Sequence, residues 1–313
     1  MVTPVVFDEE ILAARKRQAV LFPAFDPASL PAEEARRRMN AAALFFNDGE
    51  PALPVIEDHV IPGEGADIPA RLYKPAARDG LAAILYLHGG GWFSCNLDTH
   101  DRFARCLARD SGAAVLCIDY RLSPEHPFPA ALEDAVAAWA WARRRAPELG
   151  LDPGRFMVGG DSAGANLALA LAIVERDNFR PIPAAAALLY GCFAPIFTTA
   201  SQRALGDGRV GLTTERMRWY WRNYIGPDLA DPPPLAAPST APLHGLPPTF
   251  VGYAELDPLA DESRRLAAAL DRAGVVHELK GWAGAGHGFL QLTRDARLAR
   301  EATAEIAAFL ARV

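Results

Sequence analysis

The sequence predicts an α/β fold, in which a mostly parallel β-sheet is covered by helices on both faces. Two observations lead to this prediction. From residue 55 onward, short apolar runs of strand length recur, and the last six of them are separated by helical patterns or longer insertions. The chain also has 313 residues, of which 50% are hydrophobic and 22% charged, enough to bury a large core without disulfides or a structural metal.

Apolar periodicity places the elements along the chain. Strands are predicted at residues 55–61, 68–73, 82–87, 113–120, 155–159, 184–190, 249–253 and 276–282. Helices are predicted at residues 8–20, 31–47, 99–110, 130–145, 163–176, 258–273 and 295–311, with a further aromatic helix at 213–224. The first two strands follow each other directly, so they can form an antiparallel hairpin at one edge of the sheet.

One segment interrupts the alternation of strands and helices. Almost sixty residues separate the strand at 184–190 from the strand at 249–253, and they include the aromatic helix and a proline-rich run at 231–238. Because connections in compact domains are usually short, an insertion of this length is expected to have a role of its own, such as a lid over a site.

The charge pattern excludes two classes of partner. Thirty-two basic and 38 acidic residues give a net charge of −6, and no basic run extends beyond residues 143–145. Neither nucleic acid nor an anionic membrane surface is therefore an expected partner.

The compartment is predicted from the cysteines and the N-terminal residues. Four cysteines occur without a CxxC pair or zinc-finger spacing and are expected to be buried thiols: Cys95, Cys106, Cys117 and Cys192. Acidic residues at 8–10 interrupt the first apolar stretch, which argues against a signal peptide. The longest apolar runs, such as 81–87 and 184–190, are too short to cross a bilayer. These features predict a cytoplasmic protein that does not bind membranes.

The segment GDSAG at residues 160–164 has the GxSxG pattern and lies between a predicted strand and a predicted helix. In that context GxSxG forms a nucleophile elbow, a turn so tight that only glycines fit beside the serine, whose hydroxyl projects above the sheet. Ser162 is therefore predicted to be a catalytic nucleophile, and the first N–H groups of the next helix can face a developing negative charge. The alternative is a glycine-bracketed turn with an ordinary surface serine.

The segment HGGGW at residues 88–92 directly follows another predicted strand. Three consecutive glycines allow the backbone to approach a ligand closely and to point its amides at one place. Acyl transfer needs such amides, because the carbonyl oxygen becomes negatively charged in the tetrahedral intermediate. A phosphate-binding loop is the alternative, but GxGxxG spacing and a following Lys-Ser/Thr pair are both missing.

Together the two motifs resemble those of the hormone-sensitive lipase-like branch of the α/β-hydrolases, the bacterial family IV esterases. Further segments are similar to that family: LDTHD at 97–101, DYRLSPEHPFPAA at 119–131, the helix at 213–224 and AELDPLADE at 254–262. The sequence departs from the family pattern at Ala165, at Ser123 and at residues 283–285, before the last histidine.

The resemblance implies an α/β-hydrolase fold with a mostly parallel eight-stranded sheet, flanking helices and a helical cap. It divides the chain into an N-terminal part of the cap at residues 1–50, a core at 51–192 and 231–313, and a second part of the cap at 193–230. It also allows a homodimer formed through an edge strand.

The other members of a catalytic triad are predicted from chain order, which in this fold is serine, acid, histidine. His287 follows the last predicted strand and has small neighbours, so its imidazole can reach the serine as a general base. Glu255, Asp257 and Asp261 are the carboxylates that could orient it. Asp257 matches the catalytic aspartate of the family, although Asp before proline is also a common helix start. Asp161 is expected to point away from the reaction.

The resemblance implies an oxyanion hole formed by the N–H groups of Gly90, Gly91 and Ala163. Ala163 also follows independently, as the residue after the nucleophile. His88 and Gly89 are expected to support the loop, and the sequence leaves open which two of its three glycines donate.

The substrate pocket is predicted from aromatic residues. Trp92 follows the glycines, and Trp219 and Tyr220 lie on the aromatic helix, although aromatics at helical spacing are often buried against the protein body. The resemblance implies an apolar roof over the nucleophile that favours a small acyl group and includes phenylalanines of the N-terminal segment: Phe7, Phe22, Phe25 and Phe45.

The resulting prediction is a serine carboxylesterase that hydrolyses short- to medium-chain acyl esters through an acyl-enzyme. Its partner is a small-molecule ester, and no metal or organic cofactor is implied. An amidase or formamidase needs the same triad and is the first alternative. The second is a binding protein without catalysis, since members of the superfamily can lose the triad; the joint presence of serine, acid and histidine argues against it.

Overall fold

A computed structural model describes residues 5–49 and 51–312 of the chain. The domain boundary predicted at residue 50 lies outside the described residues. So do residues 1–4, which belong to the predicted N-terminal part of the cap, and residue 313 at the end of the predicted core.

The strands of the described residues form one eight-stranded sheet: β1 (Val55–Ile61), β2 (Ile68–Lys74), β3 (Leu81–Leu87), β4 (Ala114–Ile118), β5 (Leu151–Asp161), β6 (Ala186–Leu189), β7 (Thr249–Leu256) and β8 (His277–Gly286). Their spatial order is β1-β2-β4-β3-β5-β6-β7-β8. Strand β2 pairs antiparallel with β1 and with β4, and the pairs from β4 to β8 are parallel. The predicted edge hairpin and the mostly parallel sheet are therefore confirmed.

Nine α-helices occur in the same described ranges: α1 (Glu9–Leu21), α2 (Ala32–Leu44), α3 (Asp101–Ser111), α4 (Ala130–Arg144), α5 (Ala163–Asp177), α6 (Ala200–Leu205), α7 (Thr214–Ile225), α8 (Ala260–Arg272) and α9 (Arg297–Leu310). Short 3-10 helices lie at Pro27–Ser29, Asp98–His100, Pro238–Thr240 and Phe289–Leu292. Over residues 5–49 and 51–312, none of the helices has both the length and the apolar composition that crossing a bilayer requires.

Alternation of side chains along the strands divides the core into two layers. In β3, Leu85 and Leu87 point to one face of the sheet, whereas Ile84 and Tyr86 point to the other. Helices α4, α5 and α8 cover the first face, and α3 and α9 cover the second. A strand covered on both faces meets no water on either side, which explains the continuous apolar runs in the sequence.

The structure differs from the predicted elements in the long insertion, where it contains two helices instead of one. The additional helix, α6, has only six residues, and its first turn is capped by Thr199, whose hydroxyl accepts the Gln202 N–H at 3.1 Å. A helix this short has no apolar period that a sequence pattern could reveal.

The topology brings the two glycine motifs together. HGGGW directly follows β3, GDSAG spans the end of β5 and the start of α5, and these two strands are parallel neighbours. Because the carboxyl ends of parallel strands lie at the same edge of the sheet, both motifs meet there. Residues of α1, α2 and α7 form walls of a cavity above this edge.

Candidate active site

Ser162 lies on a tight turn between β5 and α5. Its backbone has φ of 54° and ψ of −117°, a conformation that residues other than glycine rarely adopt. A Cβ at Gly160 would lie 2.4 Å from the Gly164 backbone, and a Cβ at Gly164 would lie 1.8 Å from the Leu87 carbonyl oxygen. Both glycines are therefore needed for the turn to pack against β3.

The three predicted triad residues form a continuous hydrogen-bonded row. His287 Nε2 lies 3.0 Å from Ser162 Oγ, and His287 Nδ1 lies 2.7 Å from Asp257 Oδ2. Asp257 is fully buried. Since an ionised carboxylate can only accept, Nδ1 carries the proton and Nε2 is left to accept the serine hydroxyl proton. The ring of Tyr190 packs edge-on against the imidazole, with ring centroids 5.1 Å apart.

The structure distinguishes the three candidate acids. Asp257 combines both roles considered for it, because Oδ2 meets His287 while Oδ1 accepts the Leu259 N–H at 2.9 Å. Asp261 is instead held by an arginine of its own helix and by a backbone N–H of α6. Glu255 is exposed. Only Asp257 contacts the imidazole in the part of the chain that is described.

The glycine loop presents amides to the cavity above Ser162. Gly90 and Gly91 line this cavity, and their φ values of 112° and 66° lie in the region that favours glycine. The Gly89 N–H donates to Asp161 at 3.0 Å, whereas the N–H groups of Gly90 and Gly91 meet no acceptor within the described residues. Ala163 opens helix α5, so its N–H has no intrahelical acceptor either. Gly90, Gly91 and Ala163 are thus the amides available to a ligand.

A buried polar cluster that sequence reasoning missed supports this loop. The Asp161 carboxylate accepts the Tyr86 hydroxyl at 2.9 Å and lies 3.3 Å from His100 Nε2. Burial opposes the ionisation of Asp161, but the nearby His100 and the hydrogen bond from Tyr86 outweigh it and hold the pKa of this carboxyl below its usual value. Through the Gly89 amide, the carboxylate anchors the loop rather than joining the triad.

His88 supports the loop from within. Its Nδ1 donates to the Gly89 carbonyl at 2.7 Å, and its ring stacks on Tyr120 with centroids 4.2 Å apart. The Tyr120 hydroxyl donates to the His88 carbonyl at 2.7 Å. Burial lowers the pKa of His88 to about 3, so the ring stays neutral and serves as a rigid support.

A cavity of about 790 Å³ lies above the triad, within the size range of small-molecule sites. Apolar side chains of α1, α2, α7 and the adjoining loops form most of its walls: Leu21, Phe22, Phe25, Met39, Phe46, Leu212 and Met217. Phe22 and Phe25 therefore occupy the predicted roof, whereas Phe46 takes the place expected for Phe45, and Phe7 lies outside the cavity.

The predicted aromatic pocket residues differ in position. Tyr220 lines the cavity, but Trp92 and Trp219 do not. Trp92 is fully buried and stacks on Tyr224 with ring centroids 4.0 Å apart, and Trp219 packs against the segment that follows the glycine loop. Helical spacing shows that aromatics share a face, but it does not show whether that face meets the core or the cavity.

Arg15 on α1 contacts the histidine loop, although no motif in the sequence indicates this contact. Its guanidinium donates to the carbonyl oxygens of His287 at 3.2 Å and of Gly288 at 3.3 Å. It also lies 5.4 Å from the centre of the Phe46 ring. These bonds restrain the backbone that carries the imidazole.

The cysteines are free thiols, as predicted, with Cys95 half-buried and the others buried. Burial raises the pKa of Cys95 to about 12, so its thiol stays protonated beside the cavity. No group of three or more His, Cys, Asp or Glu side chains in residues 5–49 and 51–312 is arranged to hold a metal ion.

The chain is similar to a family of known fold and to several known proteins. A family model described as alpha/beta hydrolase fold matches residues 84–291. Carboxylic ester hydrolase LipN of Mycobacterium tuberculosis is 41% identical over 244 residues, which cover 76% of this chain but only 65% of LipN. Carboxylesterase NlhH of the same organism is 40% identical over 259 residues, 79% of either chain. The solved structure of a hyperthermophilic esterase from the archaeon Pyrobaculum calidifontis matches with a TM-score of 0.90 and 35% identity over 98% of both chains.

Proposed function

This chain belongs to the alpha/beta hydrolase fold family, and we propose that it is a serine carboxylesterase with Ser162, His287 and Asp257 as its catalytic triad. The observation that carries the proposal is the hydrogen-bonded row from the Asp257 carboxylate through His287 to Ser162 Oγ. The names of LipN and NlhH, both carboxylic ester hydrolases, favour esters over amides as the substrate class.

Acylation begins when Ser162 Oγ attacks the ester carbonyl carbon and His287 Nε2 takes the hydroxyl proton. The carbonyl oxygen becomes an oxyanion, which the N–H groups of Gly90, Gly91 and Ala163 stabilise; losing one such donor costs roughly 3 kcal/mol. The bond from the acyl carbon to the alcohol oxygen then breaks, and His287 gives its proton to the leaving alkoxide.

Deacylation repeats these steps with water as the nucleophile. Water gives a proton to His287 as it attacks the acyl carbon, the bond to Ser162 Oγ breaks, and the serine recovers its proton as the carboxylic acid leaves. Throughout, Asp257 stays ionised, holds the imidazole in the tautomer that can accept at Nε2, and stabilises the imidazolium.

In this proposal a helical cap of residues 1–50 and 193–230 covers a core of residues 51–192 and 231–313. Helices α1, α2 and α7 contribute to the cavity walls, and in this proposal aromatic side chains of the lining, such as Phe22 and Tyr220, bound the acyl site. Short- to medium-chain acyl groups are therefore the expected substrates.

A panel of p-nitrophenyl esters from acetyl to dodecanoyl tests this expectation. We expect kcat/KM to be highest between butanoyl and octanoyl and to fall by about tenfold or more at dodecanoyl, because in this proposal aromatic rings bound the acyl site. A steady increase up to dodecanoyl would contradict the proposed pocket. The matched butanoyl anilide tests the amidase alternative. An amidase should hydrolyse the anilide at least as fast as the butanoyl ester, whereas an esterase should hydrolyse the ester faster.

The replacement Arg15→Met tests the role of α1 in positioning the base. We expect kcat to fall about tenfold with KM changed less than about threefold, because a displaced imidazole weakens proton transfer but leaves the acyl pocket in place. Arg15→Lys should recover part of the loss. Arg17→Met is the matched control, since Arg17 lies on the same helix and pairs with Asp295 at 2.8 Å. Equal losses of kcat in Arg15→Met and Arg17→Met would mean that packing of α1 as a whole, and not the bonds from Arg15, positions His287.

A further inference from the structure

The cavity above the triad carries an excess of positive charge. Among the described residues that line it are four arginines and one carboxylate: Arg15, Arg37, Arg38, Arg216 and Asp161. The whole chain has a net charge of −6, so this excess does not follow from overall composition. One carboxylate cannot balance four guanidinium groups, and Asp161 already accepts hydrogen bonds from the Tyr86 hydroxyl and the Gly89 N–H.

Two of the four arginines pair with a carboxylate, and a third bonds to backbone carbonyls. Arg15 donates to the histidine loop. Arg37 and Arg38 share Glu34, whose carboxylate accepts from both at 2.6–2.9 Å. Two guanidinium groups that share one carboxylate still leave one positive charge at the mouth of the cavity.

Arg216 on α7 is held only by neutral groups. Its Nη2 donates to the Phe25 carbonyl at 3.1 Å, and its guanidinium is within hydrogen-bonding reach of the Tyr220 hydroxyl. No carboxylate pairs with it in the described part of the chain, although it is half-buried. A guanidinium has five donors in a fork that matches a carboxylate, so most of its donors remain available to a ligand.

Arg216 lies close to the glycine loop that is proposed to bind the oxyanion. Tyr220 lies four residues further along α7, about 6 Å along the axis, and its ring packs directly against Gly91. Arg38 lies 5.6 Å from the Phe25 ring centroid, and Arg216 donates to the Phe25 carbonyl, so both guanidinium groups contact this residue. A ligand that reaches from Gly91 past Tyr220 meets this pair of charges.

We propose that the cavity recognises esters that carry a second, anionic carboxylate several bonds from the scissile carbonyl, and that Arg216 binds this carboxylate. Arg38 adds attraction at the same end of the cavity. The inference rests on the proposed ester hydrolysis and adds the chemical class of the substrate. An apolar ester of equal size leaves Arg216 without an anionic partner, whereas a carboxylate gains charge-assisted hydrogen bonds in a site partly removed from water.

The test compares each carboxylate ester with its neutral amide counterpart. In the first arm, the monoethyl esters of glutaric, adipic and pimelic acid are compared with the ethyl esters of the corresponding ω-amides, and proton release is followed at constant pH. In the second arm, butanoate esters of ω-hydroxy acids are compared with those of the ω-hydroxy amides, which places the anion on the alcohol. In at least one arm, kcat/KM should be about tenfold higher for the carboxylate. This ratio should fall as salt is added.

Variants of α7 assign the preference to Arg216. Arg216→Gln should reduce the carboxylate-to-amide ratio to about one, and Arg216→Lys should retain part of it. Arg222→Gln removes the same charge from the same helix, where Arg222 lies 3.7 Å from Glu215 outside the cavity lining, and should keep the wild-type ratio.

A wild-type ratio near one in both arms would overturn the inference, and so would an unchanged ratio in Arg216→Gln or a loss of the ratio in Arg222→Gln. Ethyl butanoate separates this failure from failure of the proposed function. If ethyl butanoate is hydrolysed and no carboxylate preference exists, only the substrate class is wrong. If neither ethyl butanoate nor any of the carboxylate esters is hydrolysed, the esterase proposal is wrong and the inference fails with it.

Discussion

Ser162→Ala is expected to lower ester turnover by about 10⁴- to 10⁶-fold while the protein remains folded. The methyl group cannot form the acyl-enzyme, and His287 then has no hydroxyl to deprotonate. The residual rate would come from binding and from the amides of the oxyanion loop, which act without the nucleophile. The measurement is kcat with p-nitrophenyl butanoate, using enough protein to detect a very slow rate.

The structure explains why this replacement should spare the fold. The Ser162 N–H donates to the Leu189 carbonyl at 2.8 Å and its carbonyl accepts the Ala165 N–H at 3.1 Å, and alanine keeps both bonds. Ser263→Ala is a matched control, because Ser263 is also buried but lies on α8. It should retain turnover within about twofold. If Ser162→Ala kept more than a tenth of wild-type turnover, Ser162 would not be the nucleophile.

Asp257→Asn is expected to lower kcat by about 10⁴-fold. An amide group can donate to His287 Nδ1, which favours the tautomer with its proton on Nε2. That nitrogen then cannot accept the proton of Ser162. The fold should persist, because the asparagine oxygen can still accept the Leu259 N–H that Asp257 Oδ1 accepts at 2.9 Å.

Asp261→Asn is the control for this change and tests the competing acid directly. Asp261 lies four residues further on and pairs with Arg264 at 2.9 Å, so its conversion to an amide should change kcat by less than about threefold. The assignment of the acid would be reversed if Asp261→Asn lost activity by orders of magnitude and Asp257→Asn did not.

The sheet and the turn that carries Ser162 are predictable because local chemistry determines them. Strands buried on both faces require apolar runs, such as the one that forms β3. The turn at Ser162 excludes any side chain at Gly160 and Gly164, so the motif follows from steric limits within five residues. The order of acid and histidine along the chain then limits the remaining candidates to a few loops.

Contacts between distant segments are not predictable in this way. Arg15 and His287 are 272 positions apart, and no pattern around either residue indicates that they meet. Trp92 has φ of 55°, so its side chain leaves the loop toward the buried face and not toward the cavity. Side-chain directions and long-range contacts of this kind depend on positive φ values and on tertiary packing, which periodicity does not encode.

Two of the helices that line the cavity contact both loops of the proposed active site. Helix α1 contacts the histidine loop through Arg15, and α7 contacts the oxyanion loop through the ring of Tyr220 against Gly91. A shift of either helix would therefore change the position of His287 or of the loop amides, as well as the shape of the cavity.

The most direct test of the central claim is covalent labelling with diethyl p-nitrophenyl phosphate, followed by peptide mass spectrometry. The expected result is one diethylphosphoryl group per chain, located on Ser162, absent from Ser162→Ala and formed much more slowly in Asp257→Asn. An unlabelled wild-type protein, or a label on another residue, would contradict a mechanism in which Ser162 Oγ attacks the substrate.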